Sequence, residues 1–432
     1  MGEARVIRAD RSQLQWDLLD LEGLLPADHR ARIVWSFVES LDLSPLYDSI
    51  KSREGEAGRP CADPAVLLAL WLYATVEGIG SARQLERLAQ RDIAYRWLAG
   101  NVPLNYHGLA DFRVERVEVL DRLLTQSVTA LIGEGLVSLA DIAVDGTKVR
   151  ASASKKSFKK SDKLLEIEAA VERRLAALKA ELANDPAASS RRSQAARERA
   201  AREVKERAAR ARQALDRLAA ERKQREKTHK KDEAKKSEPK ASLSDPDAHY
   251  MRFPDGAVRP GYNAQIAAAA GEGVIVSMDM TDRRNDAGLA IGMVDDIARR
   301  YGRTPDNLLV DTGYATSDNI VALAQHAAGP VTVYAPPPSE RDDVKPATLK
   351  RRNKKRAREP ESVKAWRLRM ASEAGKAVYA LRGRIERINA DRKNHGFGFI
   401  GVRGLAKAKA VALWHALANN VIAAHRLRAK AA

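Results

Sequence analysis

The sequence predicts an α/β protein whose mixed sheet is preceded by an all-helical module and interrupted by a charged helical hairpin. Three observations lead there. Up to about residue 136 the apolar residues keep helical spacing with cap signals between them. After about residue 246, short apolar runs alternate with amphipathic helical stretches. Between the two lies a long segment of Ala, Arg, Glu and Lys with helical periodicity. The expected organisation is residues 1–136 helical, 137–154 the first part of the sheet, 155–245 the inserted hairpin, and 246–432 the rest of the sheet with C-terminal helices. A chain of 432 residues is long enough for two or three domains with a real core.

In the helical module, Asp63-Pro64 is a cap followed by proline at the first helical position, and Leu67, Leu68, Trp71 and Leu72 continue with helical spacing. Gly78-Ile79-Gly80-Ser81 breaks that helix. Ser81 can then cap a second one carrying Leu85, Leu88 and Ala89. Helix, short glycine turn and helix is the arrangement of a DNA-binding helix-turn-helix, and also of many plain helical cores. Trp71, Trp97 and Phe112 read as core packing.

Small or apolar residues at 140, 142 and 144 predict a strand ending near Asp145. In the insertion, Ile167, Val171, Leu175, Leu178 and Leu182 keep helical spacing, Asn184-Asp185-Pro186 breaks it, and Val204, Ala208, Ala211, Leu215 and Leu218 resume it, which reads as an antiparallel hairpin or coiled coil. Gly261 to Ile266 and Val274 to Met278, joined at Gly271-Glu272-Gly273, predict a β-hairpin. A helix over Asp286 to Arg300 comes next, followed by a strand stopping at Asp311, a turn at Gly313, a helix capped by Ser317, and a strand over Val331 to Tyr334.

Lys and Arg total 75 against 57 Asp and Glu, a net charge of +18, so a polyanionic partner is expected; nucleic acid and anionic lipid both fit. Two basic stretches, Lys227 to Lys240 and Lys350 to Arg356, serve either as solvated surface or as phosphate contacts. The single cysteine, Cys61, excludes an internal disulfide framework and argues against a cysteine-rich zinc site. No histidine pair has metal-ligand spacing, and His395 stays unassigned. No apolar run is long enough to span a bilayer, and the polar start lacks a signal-peptide apolar region, so a soluble internal protein is expected.

The chemistry concentrates in four residues near the end. Tyr379, Arg382, Glu386 and Lys393 have offsets of 3, 7 and 14, which at about 100° per residue fall in one stripe of a helix. A carboxylate flanked by two cations and a phenol suits a phosphodiester and its metal ions. Asp145 and Asp311, each at a predicted strand end, complete a set of three hard-oxygen donors of the kind that holds two Mg²⁺ ions about 3.5 to 4 Å apart. Taken singly, each Asp also reads as a turn or cap residue, and Glu386 as a surface partner of Arg382. Asp391 is a fallback third ligand, turned away from the Arg382 and Glu386 face.

These segments resemble bacterial insertion-sequence transposases of the DDE, RNase H-like superfamily. The likeness rests on Asp145-Gly146-Thr147-Lys148, Asp311-Thr312-Gly313-Tyr314 and the Tyr-Arg-Glu-Lys spacing. It extends through Asp245-Pro246-Asp247-Ala248, Gly261 to Gln265, Asn285-Asp286, Arg403-Gly404-Leu405 and Asn419-Asn420, and through Arg59 to Arg113 in the helical module. The resemblance implies that Asp145, Asp311 and Glu386 are the catalytic metal ligands, with two Mg²⁺ as cofactor and Mn²⁺ as a substitute. It implies DNA contacts for Tyr379, Arg382, Lys393 and Lys148. The implied partners are double-stranded transposon ends and target, handled by a homodimer or larger synaptic complex in the bacterial cytoplasm at the nucleoid, with no membrane. One departure is local: where relatives continue after the Glu with an aromatic-glycine pair, this chain has Arg387-Ile388-Asn389-Ala390. The rival readings are a metal-dependent nuclease of the same fold and a catalytically decayed DNA-binding protein.

Overall fold

The computed structural model describes residues 20–50, 61–184, 188–228, 238–338, 353–354 and 356–431. Among the described residues seven helices come first: α1 (Arg30–Glu39), α2 (Ser44–Asp48), α3 (Pro64–Val76), α4 (Ala82–Arg91), α5 (Ile93–Ala99), α6 (Tyr106–Glu115) and α7 (Val117–Gly133). The Asp63 carboxylate accepts from the Ala65 amide and Pro64 takes the first turn, so α3 starts where the sequence predicts. It is buried on nearly every side, and Gly78, in the left-handed region at φ 75°, turns the chain out of it. α4 is capped by Ser81 and buries only Leu85. Trp71 and Phe112 lie in the core and Trp97 packs at its margin, as core packing requires.

The strands are β1 (Asp141–Ala151), β2 (Phe158–Lys159), β3 (Ala241–Ser242), β4 (His249–Arg252), β5 (Val258–Ala269), β6 (Ile275–Thr281), β7 (Asn307–Leu309), β8 (Thr332–Tyr334) and β9 (Phe399–Ile400). Across the main sheet the order is β6-β5-β1-β7-β8, with β4 beside β6 on β5 and β9 beside β7 on β1. β5 runs antiparallel to both β6 and β1, while β7 and β8 run parallel to β1. This mixed sheet is the arrangement expected of an RNase H-like core. β5 is buried along almost its whole length; Ala264 and Ala267 to Ala269 give it a thin profile between the layers.

Three local expectations are corrected. β1 does not stop near Asp145 but continues to Ala151, because β5 pairs with it from Ile142 to Arg150. The helix expected over Asp286 to Arg300, α10 (Leu289–Tyr301), begins later, since the Asp286 carboxylate is engaged by side-chain donors from the sheet. α11 (Ser317–Ala324) is capped by Thr316, whose hydroxyl accepts from the Asn319 amide, rather than by Ser317.

The insertion is a helical hairpin of α8 (Ser161–Asn184) and α9 (Ala188–Thr228). Glu168 pairs with Arg212 at 3.0 Å and Glu172 with Lys205 at 2.9 Å, so position rises on one helix as it falls on the other and the two are antiparallel. Leu164, Ala211, Ala214, Leu215 and Ala241 form a small core at its base, separate from the main one, beside the short β2–β3 pair. Asp185-Pro186, most of the Lys227 to Lys240 stretch, and Lys350 to Arg352 lie outside the described residues.

The chain ends with α12 (Glu361–Ala371), α13 (Glu373–Ala380), α14 (Gly383–Arg392) and α15 (Leu405–Ala431). α15 joins the helical module to the sheet. Trp414 lies 6.4 Å from Trp71 and 6.2 Å from Phe112 between ring centroids. Further along the same helix the Asn420 side-chain amide accepts from the Ile275 N–H and donates to the Ile275 carbonyl, both at 2.8 Å, and so closes the free edge of β6 as a partner strand would. The described residues up to 136 therefore share one continuous hydrophobic core with the sheet. Among the described residues no helix is long and apolar enough to cross a membrane.

His415, on α15, is buried against Phe397. Burial first, then the charges of Arg392, Arg113 and His395, hold its imidazole well below the usual histidine range. The unfolded chain takes up this proton near pH 6.5 while the folded chain does not, so acid favours unfolding. The contribution is complete above about pH 6.5 and is lost below it at up to about 1.4 kcal/mol per pH unit. His415→Gln should flatten the dependence of the guanidinium midpoint on pH between about 5 and 7. Parallel profiles for the two proteins would refute this placement of the proton.

Candidate active site

Both β7 and β9 lie against the edge of β1 that β5 leaves open. β7 covers Asp141 to Ala143 and β9 covers Arg150 and Ala151, so the edge is forked around Asp145. The last β1–β7 pair is Ala143 with Leu309. Asp145 and Asp311 each follow that pair by two residues, Asp145 within β1 and Asp311 just past the end of β7, and thus stand at one level.

α14 supplies the remaining groups. Asn389 Nδ2 donates to Asp145 Oδ2 at 2.7 Å, and Arg382, just ahead of the helix, donates through Nη2 to Asp145 Oδ1 at 2.9 Å. Through Nη1 the same guanidinium donates to Glu386 Oε1 at 2.5 Å. Arg382 and Asn389 are buried, whereas Glu386 is exposed. One planar cation thus ties a strand carboxylate to a helix carboxylate, and Asp311 is near enough to act on both Asp145 and Arg382 through its charge. Burial raises the Asp145 carboxyl above its usual range, opposed by Arg382 and Asn389 and reinforced by Asp311. For Arg382, burial works against the charged form, but Asp145, Tyr379, Glu386 and Asp311 outweigh it and the guanidinium is held more firmly protonated than usual.

The expectation of one unbroken helical stripe is corrected. α13 ends at Ala380, and Arg382 N–H to Tyr379 O at 2.9 Å and Arg384 N–H to Leu381 O at 3.1 Å make a tightened turn before α14. Gly383, a poor helix former, sits at the break. Lys393 opens a wide turn running to Phe397. The four residues still gather about Asp145 and its partner Arg382: Arg382 and Lys393 act on Asp145, and Tyr379 and Glu386 on Arg382. Tyr379 is raised by burial, with Arg382 opposing; Lys393 is lowered by burial, with Asp145 opposing. Asp391 turns away to pair with Arg392, and His395 bonds the Asp391 carbonyl at 2.8 Å.

On the opposite face of β1 a second network appears that the sequence reading did not assign. Asp286 Oδ1 accepts from Asn263 Nδ2 at 2.7 Å, Gln265 Nε2 at 2.9 Å and Lys148 Nζ at 3.4 Å, and Tyr314 donates its hydroxyl to Gln265 Oε1 at 2.5 Å. Lys148 is therefore held by Asp286 on the other face of the strand, still within reach of the Asp145 charge. Burial lowers the Lys148 amine, with Asp286 opposing. The signal for this network was present in Gly261 to Gln265 and Asn285-Asp286, but neither residue type nor spacing says that they meet. Asn389 was likewise missed, because an Asn on a helix carries no chemical signature until its partner is known.

Among the described residues, no three His, Cys, Asp or Glu side chains are gathered at metal-holding distance. The oxygens of Asp145 and Glu386 converge instead on Arg382. A set of hard carboxylate oxygens already arranged about one cation nonetheless has the donor chemistry that divalent ions of the Mg²⁺ kind require.

Gly146 separates the two faces. A Cβ there would stand 2.4 Å from Asp286 Oδ1 and 2.6 Å from Gln265 Nε2, distances no side chain adopts. Gly146→Ala should break the Asp286 network and cost about 1 to 3 kcal/mol, read from the denaturant midpoint. A wild-type midpoint would show that the network yields without cost.

Two family models match the chain. Residues 227–421 match the one described as Transposase DDE domain, and residues 19–115 match the one described as Transposase domain (DUF772). No curated protein and no solved structure matches it. The first match includes Asp311 and Glu386 and the second takes in α1 to α6. Asp145 precedes the first match, but β1 lies between β5 and β7 in the same sheet. With a mixed sheet of the expected order and both transposase domains present, the chain belongs to the insertion-sequence transposases of the DDE type.

Proposed function

We infer that this transposase binds the terminal inverted repeats of its own element and cuts and joins DNA by in-line displacement at phosphorus. The observation carrying this reading is the meeting of Asp145 and Glu386 on one guanidinium beside Asp311. Asp145, Asp311 and Glu386 would hold two Mg²⁺, or Mn²⁺ in their place. Such ions supply Lewis-acid activation of water or a 3′-hydroxyl and stabilise the leaving oxygen.

The chain's own residues prepare this chemistry. Asn389 fixes the rotamer of Asp145, so the strand carboxylate meets a cation in one orientation. Arg382 keeps Asp145 and Glu386 together, and loading of divalent ions requires it to exchange those oxygens for another anion. A DNA phosphate is the anion the function provides. Lys393 adds a second positive charge at Asp145, and Tyr379 offers a ring on which a displaced base can stack. Lys148, paired with Asp286, adds a further positive charge within reach of Asp145 and of a bound phosphate. Two ends must be joined, so a dimer or larger synaptic complex is the working form.

Asp145→Asn, Asp311→Asn and Glu386→Gln should each reduce cleavage of an end substrate by about a thousandfold or more, the loss of several kcal/mol of metal-assisted stabilisation, while end binding persists. Retained cleavage in any one removes that residue from the site. Paired-end strand-transfer products would separate transposition from simple nuclease action.

The exchange at Arg382 has its own readout. In DNA-free protein, Arg382→Ala should raise Mn²⁺ affinity by about tenfold in calorimetry, because two carboxylates lose a competing cation. Unchanged Mn²⁺ binding would mean that the guanidinium does not compete.

A further inference from the structure

Two stretches of the chain that contain no Asp or Glu, residues 146–161 and 392–432, meet where β9 lies on β1. In that pairing Arg150 stands opposite Phe399, so the two side chains share the face of the sheet that carries Lys148. The Arg150 guanidinium lies 5.6 Å from the centre of the Phe399 ring. Arg403 reaches the same corner, its Nε donating to the Ser152 carbonyl at 3.3 Å. Both arginines are exposed, and Phe399 keeps 50% of its surface accessible. A single exposed ring is ordinary. Here it stands beside two cations that, among the described residues, no carboxylate neutralises. The acids nearby, Asp245 and Asp247, are engaged by the Tyr262 hydroxyl and by the amides of Gly404 and Leu405.

Both segments of this corner begin at the candidate active site. Along β1, Lys148 lies within reach of the Asp145 charge, and Arg150 follows two residues later. Along the other, Lys393 acts on Asp145, and the wide turn after it leads into β9 and Phe399. From Asp145 to Arg150 an extended strand covers about 17 Å. That distance is about five nucleotides of a stacked DNA strand, and fewer of a stretched one. We propose that the corner holds a single-stranded segment of the DNA whose phosphate is attacked at the carboxylates, with its backbone on Arg150 and Arg403 and one unpaired base stacked on Phe399. The uncompensated charge selects a polyanion. The ring selects an unpaired base, because inside a duplex each base is already covered on both faces by its neighbours. The link to Asp145 through both segments selects the strand, since DNA with a phosphate at the carboxylates continues within reach of the corner. This inference rests on the DNA-cutting function proposed above and adds that the two strands are parted beside the cut.

The test uses the full chain without divalent ions, and circular dichroism and melting first establish that each variant is folded. Fluorescence anisotropy measures affinity for a labelled oligothymidine of about 20 nucleotides and for a duplex of equal length across a salt series. Phe399→Leu keeps apolar bulk but offers no flat face. It should bind the oligothymidine about tenfold more weakly while its duplex affinity stays within about twofold of wild type, and Phe399→Trp should bind at least as well as wild type. Arg150→Gln combined with Arg403→Gln should lower the log–log salt slope on the oligothymidine by about 1.4, at about 0.7 per phosphate released. Arg173→Gln with Lys179→Gln removes the same charge from exposed residues of α8 and should leave the slope unchanged. On end substrates, wild type should favour one with mismatched bases about five nucleotides from the cut over a fully paired one, and Phe399→Leu should lose that preference. Equal losses on single strand and duplex in Phe399→Leu, or a slope change no larger than that of the α8 control, overturn the assignment. Should wild-type protein with Mg²⁺ fail to cleave ends at all, the proposed function fails, whereas the oligothymidine measurements still report independently on the corner.

Discussion

The site depends on a carboxylate in an unusual place: Asp145 lies in the middle of a sheet strand, where burial works against its charge. Its two oxygens are satisfied by two donors from one segment, Arg382 and Asn389. The charge therefore cannot be accommodated unless α14 docks against β1, and α14 cannot dock without bringing Glu386 along. A penalty on one side chain thereby becomes a constraint on the helix that carries the third acid.

Sheet topology supplies the rest of the geometry. Because β7 leaves β1 after three pairs and β9 joins it only at Arg150, the edge around Asp145 is open to α14. Parallel pairing of β7 with β1 brings Asp311 to the same level. Below the strand, Asp286 gathers Lys148, Asn263 and Gln265 into a polar platform, and Gly146 lets the platform approach the backbone. The glycine after Asp145 is thus explained by what lies behind the strand, while Asp145 itself is explained by what lies in front.

α15 binds these parts to the amino-terminal helices. Trp414 packs among Trp71 and Phe112, and Asn420 closes the edge of β6. The turn after α3 lies close to the wide turn after Lys393, where a Cβ on Gly78 would sit 3.4 Å from the His395 backbone. The helices of the amino-terminal transposase domain and the sheet of the DDE domain are thus in physical contact through buried residues. Displacement at one is felt by the other as a packing change.

Periodicity and cap chemistry are local, and so α3, the antiparallel insertion hairpin, the β5–β6 hairpin and the strand leading to Asp311 were legible in the sequence. Asp145, Asp311, Glu386 and the cations near them could be singled out because the chemistry of phosphoryl transfer needs those residue types. The sequence could not show that β1 runs on past Asp145, since only the partner strand β5 extends it. Nor could it show the break at Gly383, the engagement of Lys148 by Asp286, or the bond from Asn389 to Asp145. Each depends on which residues distant in the chain become neighbours. Hydrophobic patterning determines that a strand or helix forms, but burial of charge and the pairing of its donors, settled only in the folded whole, decide what a side chain does there.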